Sequence, residues 1–156
     1  MILKILIACL LVIVTVAVHA VGFRALLQAI MRHALAASGF WPVTRMVIGL
    51  ALFLILIHLA EIAVWGLFYF WQGCLPDLET AFYFSGVTYT SVGYGDIVLP
   101  QPWRLFAPLE SMTGILMCGA STGLFFALVS RWISNFMKIS GASTPASVTR
   151  AAPSDA

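Results

Sequence analysis

Few residues in this chain have the type and spacing for chemistry. Three ionisable side chains, His58, Glu61 and Glu110, interrupt long apolar runs. Charge inside a membrane span is costly, so such residues are functional candidates by default. His58 and Glu61 stand three apart and share a helix face. Glu61 and Glu110 fall at a similar depth, roughly 10–14 Å below the outer boundary, where they are expected to share a proton or bond to Ser111 and Thr113. A structural hydrogen-bond network is the expected role; a proton sensor is the alternative. Cys9, Cys74 and Cys118 show no Cys-x-x-Cys spacing, which supports neither a zinc site nor a disulfide framework. Cys9 and Cys118 read as small core residues, and Cys74 as a loop residue able to cross-link subunits in an oxidising compartment. The remaining candidate is the string Thr90-Ser91-Val92-Gly93-Tyr94-Gly95-Asp96. A bare Gly-Tyr-Gly fits any turn, but the five residues Val92 to Asp96 recur by chance only about once in a million positions.

The elements that must position these residues are set by composition. Of 156 residues, 62% are hydrophobic and 9% charged, whereas a soluble domain carries about a quarter charged. A soluble fold of this size could not bury that much apolar surface. A net charge of +2 is too small and scattered for a nucleic-acid footprint. Three apolar spans are long enough to cross a bilayer at about 20 residues each: Ile2 to Val21, Met46 to Trp71 and Leu105 to Trp132. Trp65, Phe68, Tyr69, Phe70 and Trp71, with Trp103 and Trp132, predict an aromatic belt at the membrane interfaces.

Topology comes from the basic residues. Arg24, Arg32 and Arg45 lie between the first two spans, and Arg131, Lys138 and Arg150 come after the third. The positive-inside rule places both segments in the cytoplasm, with the N-terminus outside and the C-terminus inside. Lys4 then falls on the side the rule disfavours. The competing reading takes Lys4, the apolar run and Val18-His19-Ala20 as a cleavable signal peptide, which inverts the topology from Val21 onward. The organisation expected is an N-terminal transmembrane helix (1–22), a cytoplasmic linker (23–45), a domain holding the second and third spans (46–133) and a disordered cytoplasmic tail (134–156). Within the linker, Arg24 to His33 read either as a short amphipathic helix or as the end of the first helix.

Between the second and third spans lie about 33 residues, too long for a hairpin and too apolar for a soluble loop. Asp77 is a good N-cap, and Leu78 to Tyr89 predicts a short aromatic helix. The string Thr90 to Asp96 comes directly after it. Non-helical backbone at membrane depth is tolerated only where it lines an aqueous path. In that setting the string resembles the selectivity filter of the potassium channel family, with Ser91 where threonine is commoner. The resemblance covers Met46 to Trp132 as a two-helix pore module, with one extra N-terminal transmembrane helix. It implies an all-α membrane protein: three transmembrane helices, a re-entrant pore helix and a filter loop, around a tetrameric pore.

Further implications of the resemblance concern single residues. Potassium would be held at Ser91, Val92, Gly93 and Tyr94, whose carbonyls replace its hydration shell, with Gly95 completing the filter. Successive carbonyls reach one axis only if alternate residues take left-handed angles, which Gly93 and Gly95 adopt freely. The Ser91 hydroxyl would supply an oxygen at the inner end, while Val92 and Tyr94 pack against the short helix, whose C-terminus faces a cation below the filter. Tyr83 and Phe84 stand where relatives carry paired tryptophans, so the Tyr83 hydroxyl would replace the indole donor to Asp96. Thr88 would meet the Tyr94 hydroxyl, and Thr90 supports the filter from its inner end. Gly114 and Gly119 match glycines of the family's inner helix and are candidates for a gating hinge or for close helix packing. Ile115, Cys118, Thr122, Phe126 and Ser130 form one stripe expected to line the cavity, with Phe126 as an apolar ring.

The function these readings imply is passive potassium conduction by a homotetramer in a plasma or inner membrane. Its partners are potassium ions, the lipid bilayer and copies of the same chain, with no nucleic acid, no organic cofactor and no enzymatic step. No arginine-repeat voltage sensor is visible. The alternatives are a non-conducting structural or modulatory subunit, which would not need an intact filter, and a weakly selective cation channel, which Ser91 favours.

Overall fold

A computed structural model describes residues 2–33 and 40–142. Among the described residues, the regular structure is four α-helices and one short 3-10 turn: α1 (Ile2–His33), α2 (Phe40–Trp71), α3 (Leu78–Tyr89), the turn Gln101–Trp103 and α4 (Phe106–Ala142). Three of the helices are long and apolar enough to span a membrane, over Ile2–Met31, Trp41–Trp71 and Gln101–Ser134. The all-helical fold class expected from the sequence is the one observed. The short α3 lies between α2 and α4, and α1 packs against both long helices.

Helix ends are set locally. Asp77 caps α3 in an extended conformation, accepting from Thr80 N at 2.8 Å and Thr80 Oγ1 at 2.8 Å. Those donors hold the Asp77 carboxyl below its usual range. Pro42 and Pro108 fall in the first turns of α2 and α4, where a missing N–H costs nothing.

Two elements run further than the sequence suggests. Residues 23–33 continue α1 without a break, because the run Ala25 to Gln28 contains good helix formers and Leu26 is buried against Leu50, Leu54 and Ile57. The linker 23–45 therefore contains the end of α1 and the start of α2, while residues 34–39 lie outside the described residues. α4 likewise passes Lys138 and reaches Ala142, since neither proline nor glycine interrupts it between Gly123 and Gly141. Residues 134–142, expected to be disordered, are helical, and 143–156 lie outside the described residues.

Burial divides the bundle into two apolar clusters. One gathers Ala8, Leu11, Trp65, Tyr69, Phe84 and Phe106 near the loop side. The other gathers Leu26, Leu50, Leu54 and Ile57 with α4 residues around Leu128. The predicted aromatic belt needs correction here. Trp65 and Tyr69 are fully buried, one turn apart on the face of α2 turned inward, and Trp65 Nε1 donates to Thr15 Oγ1 of α1 at 3.0 Å. Phe68 stacks on Phe106 at a centroid separation of 5.4 Å, leaving Phe70 and Trp71 exposed.

α1 is joined to the segment before α4 as well as to the bundle. Lys4 Nζ donates to the Pro102 carbonyl at 2.8 Å and lies 4.9 Å from the Trp103 ring centroid. The start of α1 and the segment between Asp96 and α4 thus share one end of the molecule. Cys74, expected in an accessible loop, is buried, and burial raises its thiol above the ordinary value.

Candidate ion-conduction site

The end of α3 dictates the path of the extended segment beyond it. Thr90 N donates to Gly86 O at 3.1 Å, Ser91 N to Thr88 O at 2.9 Å, and Val92 N and Gly93 N both to Val87 O at 3.0 and 3.2 Å. These bonds use the last free carbonyls of the helix, which would otherwise need water. Thr90 Oγ1 also donates to Gly86 O, at 2.7 Å. The amides of the segment are therefore turned back onto α3. Among the described residues, no hydrogen bond reaches the carbonyls of Ser91, Val92, Gly93 or Tyr94.

Backbone angles alternate along the same stretch. Ser91, Gly93 and Gly95 have φ of 61°, 56° and 76°, while Val92 and Tyr94 between them stay on the ordinary side. The two glycines meet this requirement without a Cβ clash. Ser91 is the single non-glycine residue with positive φ among those described, a position that sequence reasoning did not assign to left-handed backbone. Its hydroxyl lies 2.7 Å from Ser111 Oγ on α4, so the inner end of the segment is fastened to the inner helix. Val92 and Tyr94 are 52% and 71% exposed in the single chain, so α3 of the same chain does not cover them as expected.

At the outer end, Tyr83 Oη donates to Asp96 Oδ2 at 2.7 Å, and Ile97 N donates to Asp96 Oδ1 at 3.0 Å. The hydrogen-bonded Asp96 carboxylate pushes the Tyr83 phenol above its ordinary value. Behind the segment lies a cleft of about 170 Å³ lined by Val87, Thr88, Gly93, Gly95 and Asp96. Thr88 borders this cleft, but among the described residues no hydrogen bond joins it to Tyr94.

α4 passes tightly against the end of α3 at Gly114. A Cβ there would stand 2.0 Å from the Tyr89 carbonyl oxygen, which no side chain allows. Gly119 has open space around it within the chain. Of the predicted cavity stripe, Ile115, Thr122, Phe126 and Ser130 are exposed in the single chain. Cys118 departs from them: it is half-buried and within Coulombic reach of Glu61 and Tyr89.

The intramembrane carboxylates have separate hydrogen-bond partners and, among the described residues, no bond joins them. Glu110 accepts from Tyr69 Oη at 2.7 Å and from Ser85 Oγ at 2.5 Å, binding α2, α3 and α4 together. Glu61 accepts from the Tyr89 hydroxyl and stands 2.7 Å from His19 Nδ1 and 3.1 Å from His58 Nδ1. Ser111 is engaged by Ser91, and Thr113 Oγ1 donates to the Leu109 carbonyl at 2.8 Å. His19 was missed as a site residue, although the rule that flagged His58 applies equally to a histidine inside the first span.

Residues 57–131 match the family model for an ion channel. The matched segment takes in the second half of α2, all of α3, the stretch Thr90 to Asp96 and α4 as far as Arg131, while α1 lies outside it. The similarity is to ion channels as a class, which is not an enzyme class, and it specifies no ion. Comparison with curated proteins and with solved structures gave no match.

Proposed function

We propose that this protein is a potassium-selective channel subunit that conducts passively as a homotetramer. The observation that carries the reading is the stretch from Ser91 to Gly95, where left-handed angles alternate and four successive carbonyls accept no hydrogen bond. Carbonyls without donors at membrane depth need a cation or water as partner. Four chains would convert them into stacked oxygen rings able to replace a potassium hydration shell. One chain supplies a quarter of each ring, and the exposed Val92 and Tyr94 give neighbouring copies a surface to cover.

In this reading the N-terminus is external and the C-terminus cytoplasmic, in line with the basic residues. The contact between Lys4 and Pro102 agrees with that assignment, since it sets the start of α1 beside the loop that flanks the outer mouth. The membrane is a plasma or inner membrane, and no organic cofactor takes part.

A weakly selective cation channel is the second reading, favoured by one contact. Ser111 shares a hydrogen bond with the Ser91 hydroxyl, so an ion at the innermost site competes for that oxygen's orientation with a side chain of α4. Flux through purified protein in liposomes separates the two. Selective conduction moves the reversal potential when sodium replaces potassium on one side; an unmoved potential defeats the potassium reading. Mass measurement in detergent with potassium present should return a tetramer, and reporters fused at Met1 and Ala156 should report external and cytoplasmic ends.

A further inference from the structure

Between the two apolar clusters lies a polar group that conduction does not require. His19 of α1 meets His58 and Glu61 of α2, and one ligating atom from each lies within 4.8 Å of the others. Glu61 is fully buried and His19 is 5% exposed. A carboxylate so placed needs a proton or a positive partner. Among the described residues no lysine or arginine pairs with it, and both of its ion-pair partners are imidazoles.

The second observation is a nitrogen left over. His19 turns Nδ1 to Glu61, while its Nε2 is buried and has no hydrogen-bond partner among the described residues. Both imidazoles turn Nδ1 to the same carboxylate, so Nδ1 would be the ligating nitrogen of each, and Nε2 of His19, on the far side of its ring, would carry the proton. Two imidazoles and one carboxylate suit zinc and its neighbours, while calcium and magnesium prefer sets made wholly of oxygen. Tyr89 completes the surroundings: its hydroxyl is 3.0 Å from His58 Nδ1 and also donates to Glu61.

We propose that His19, His58 and Glu61 form a site for one divalent transition-metal ion of the zinc class per chain, inside the membrane span and against the end of α3. Tyr89, the last residue of α3, would then link the occupied site to the filter segment that starts at Thr90.

Cobalt titration of the full-length, tag-free protein tests this without reference to ion flux, so its failure and that of the channel reading are distinguishable. The expected result is saturable uptake of one cobalt per chain, with the intense visible bands of four- or five-coordinate nitrogen and oxygen ligation, lost on adding zinc. Glu61→Gln and His19→Gln should each weaken uptake at least tenfold, whereas His33→Ala, at the far end of α1, should leave it unchanged. No saturable uptake by the wild-type protein, or a weak all-oxygen octahedral spectrum, overturns the proposal. So does uptake that survives both substitutions. Stoichiometry and spectrum of the wild-type protein decide the matter even where a variant fails to assemble.

Discussion

The Tyr83 hydroxyl donates to the Asp96 carboxylate across 2.7 Å, tying the middle of α3 to the residue that ends the string Thr90 to Asp96. Tyr83→Phe removes this bond and little else. Potassium selectivity should persist, while sustained flux should decay a few-fold faster, in keeping with the worth of one hydrogen bond. Time-resolved flux from liposomes checks it, and an unchanged decay would show that Asp96 needs no such support.

Gly93 has φ of 56° with open space around its Cα. Gly93→Ala therefore acts through backbone strain rather than collision, at a cost of about 1–2 kcal/mol. Selectivity or flux should be lost while the oligomer mass is kept. Normal potassium-over-sodium permeation by this variant would contradict the role given to the alternating backbone.

Gly114 and Gly119 should part company. Alanine at 114 drives a methyl into the Tyr89 carbonyl, and overpacking of this kind typically costs 1–3 kcal/mol, so roughly 3 kcal/mol is expected against unyielding backbone. Gly114→Ala should lower the melting temperature or prevent assembly. Gly119→Ala meets nothing within the chain and should leave stability within about 0.5 kcal/mol, so an effect on opening alone would identify the hinge.

Thr122 and Phe126 are exposed in the single chain, whereas Cys118 is half-buried and within Coulombic reach of Glu61. A charged thiol-reactive cation applied from the cytoplasmic side should modify Thr122→Cys, in a Cys118→Ser background, at least tenfold faster than native Cys118. Phe126→Ala should raise resting flux if the four rings close the cavity by dewetting. Equal modification rates would place the stripe on the wrong face.

What the sequence made legible was local. Asp77 and the twelve residues after it specify α3 because a cap and a short helix depend on near neighbours alone. The same is true of the left-handed glycines. Helix rotation was a different matter, because α2 is apolar on all sides and no stripe shows which face turns inward. Trp65 and Tyr69 consequently looked like interfacial residues, and the separate partners of Glu61 and Glu110 were out of reach. Ser91 was read for its hydroxyl, but its positive φ emerges only from the turn that α3 imposes.

The contact at Gly114 divides α4 unequally. Roughly 12 Å of helix lies on the Phe106 side and roughly 40 Å on the Ala142 side. An unbroken helix resting on a fixed point is a lever, and here the Tyr89 carbonyl is the fulcrum. A sideways stroke at the Ala142 end reaches the short arm reversed and reduced roughly threefold, in the ratio of the two lengths. Ser111 sits on that short arm, one turn from the pivot, and holds the Ser91 hydroxyl. In the channel reading, a rigid tilt of α4 about this contact would reach the Ser91 hydroxyl strongly reduced, while the packing around Leu128 limits how far the long arm can swing.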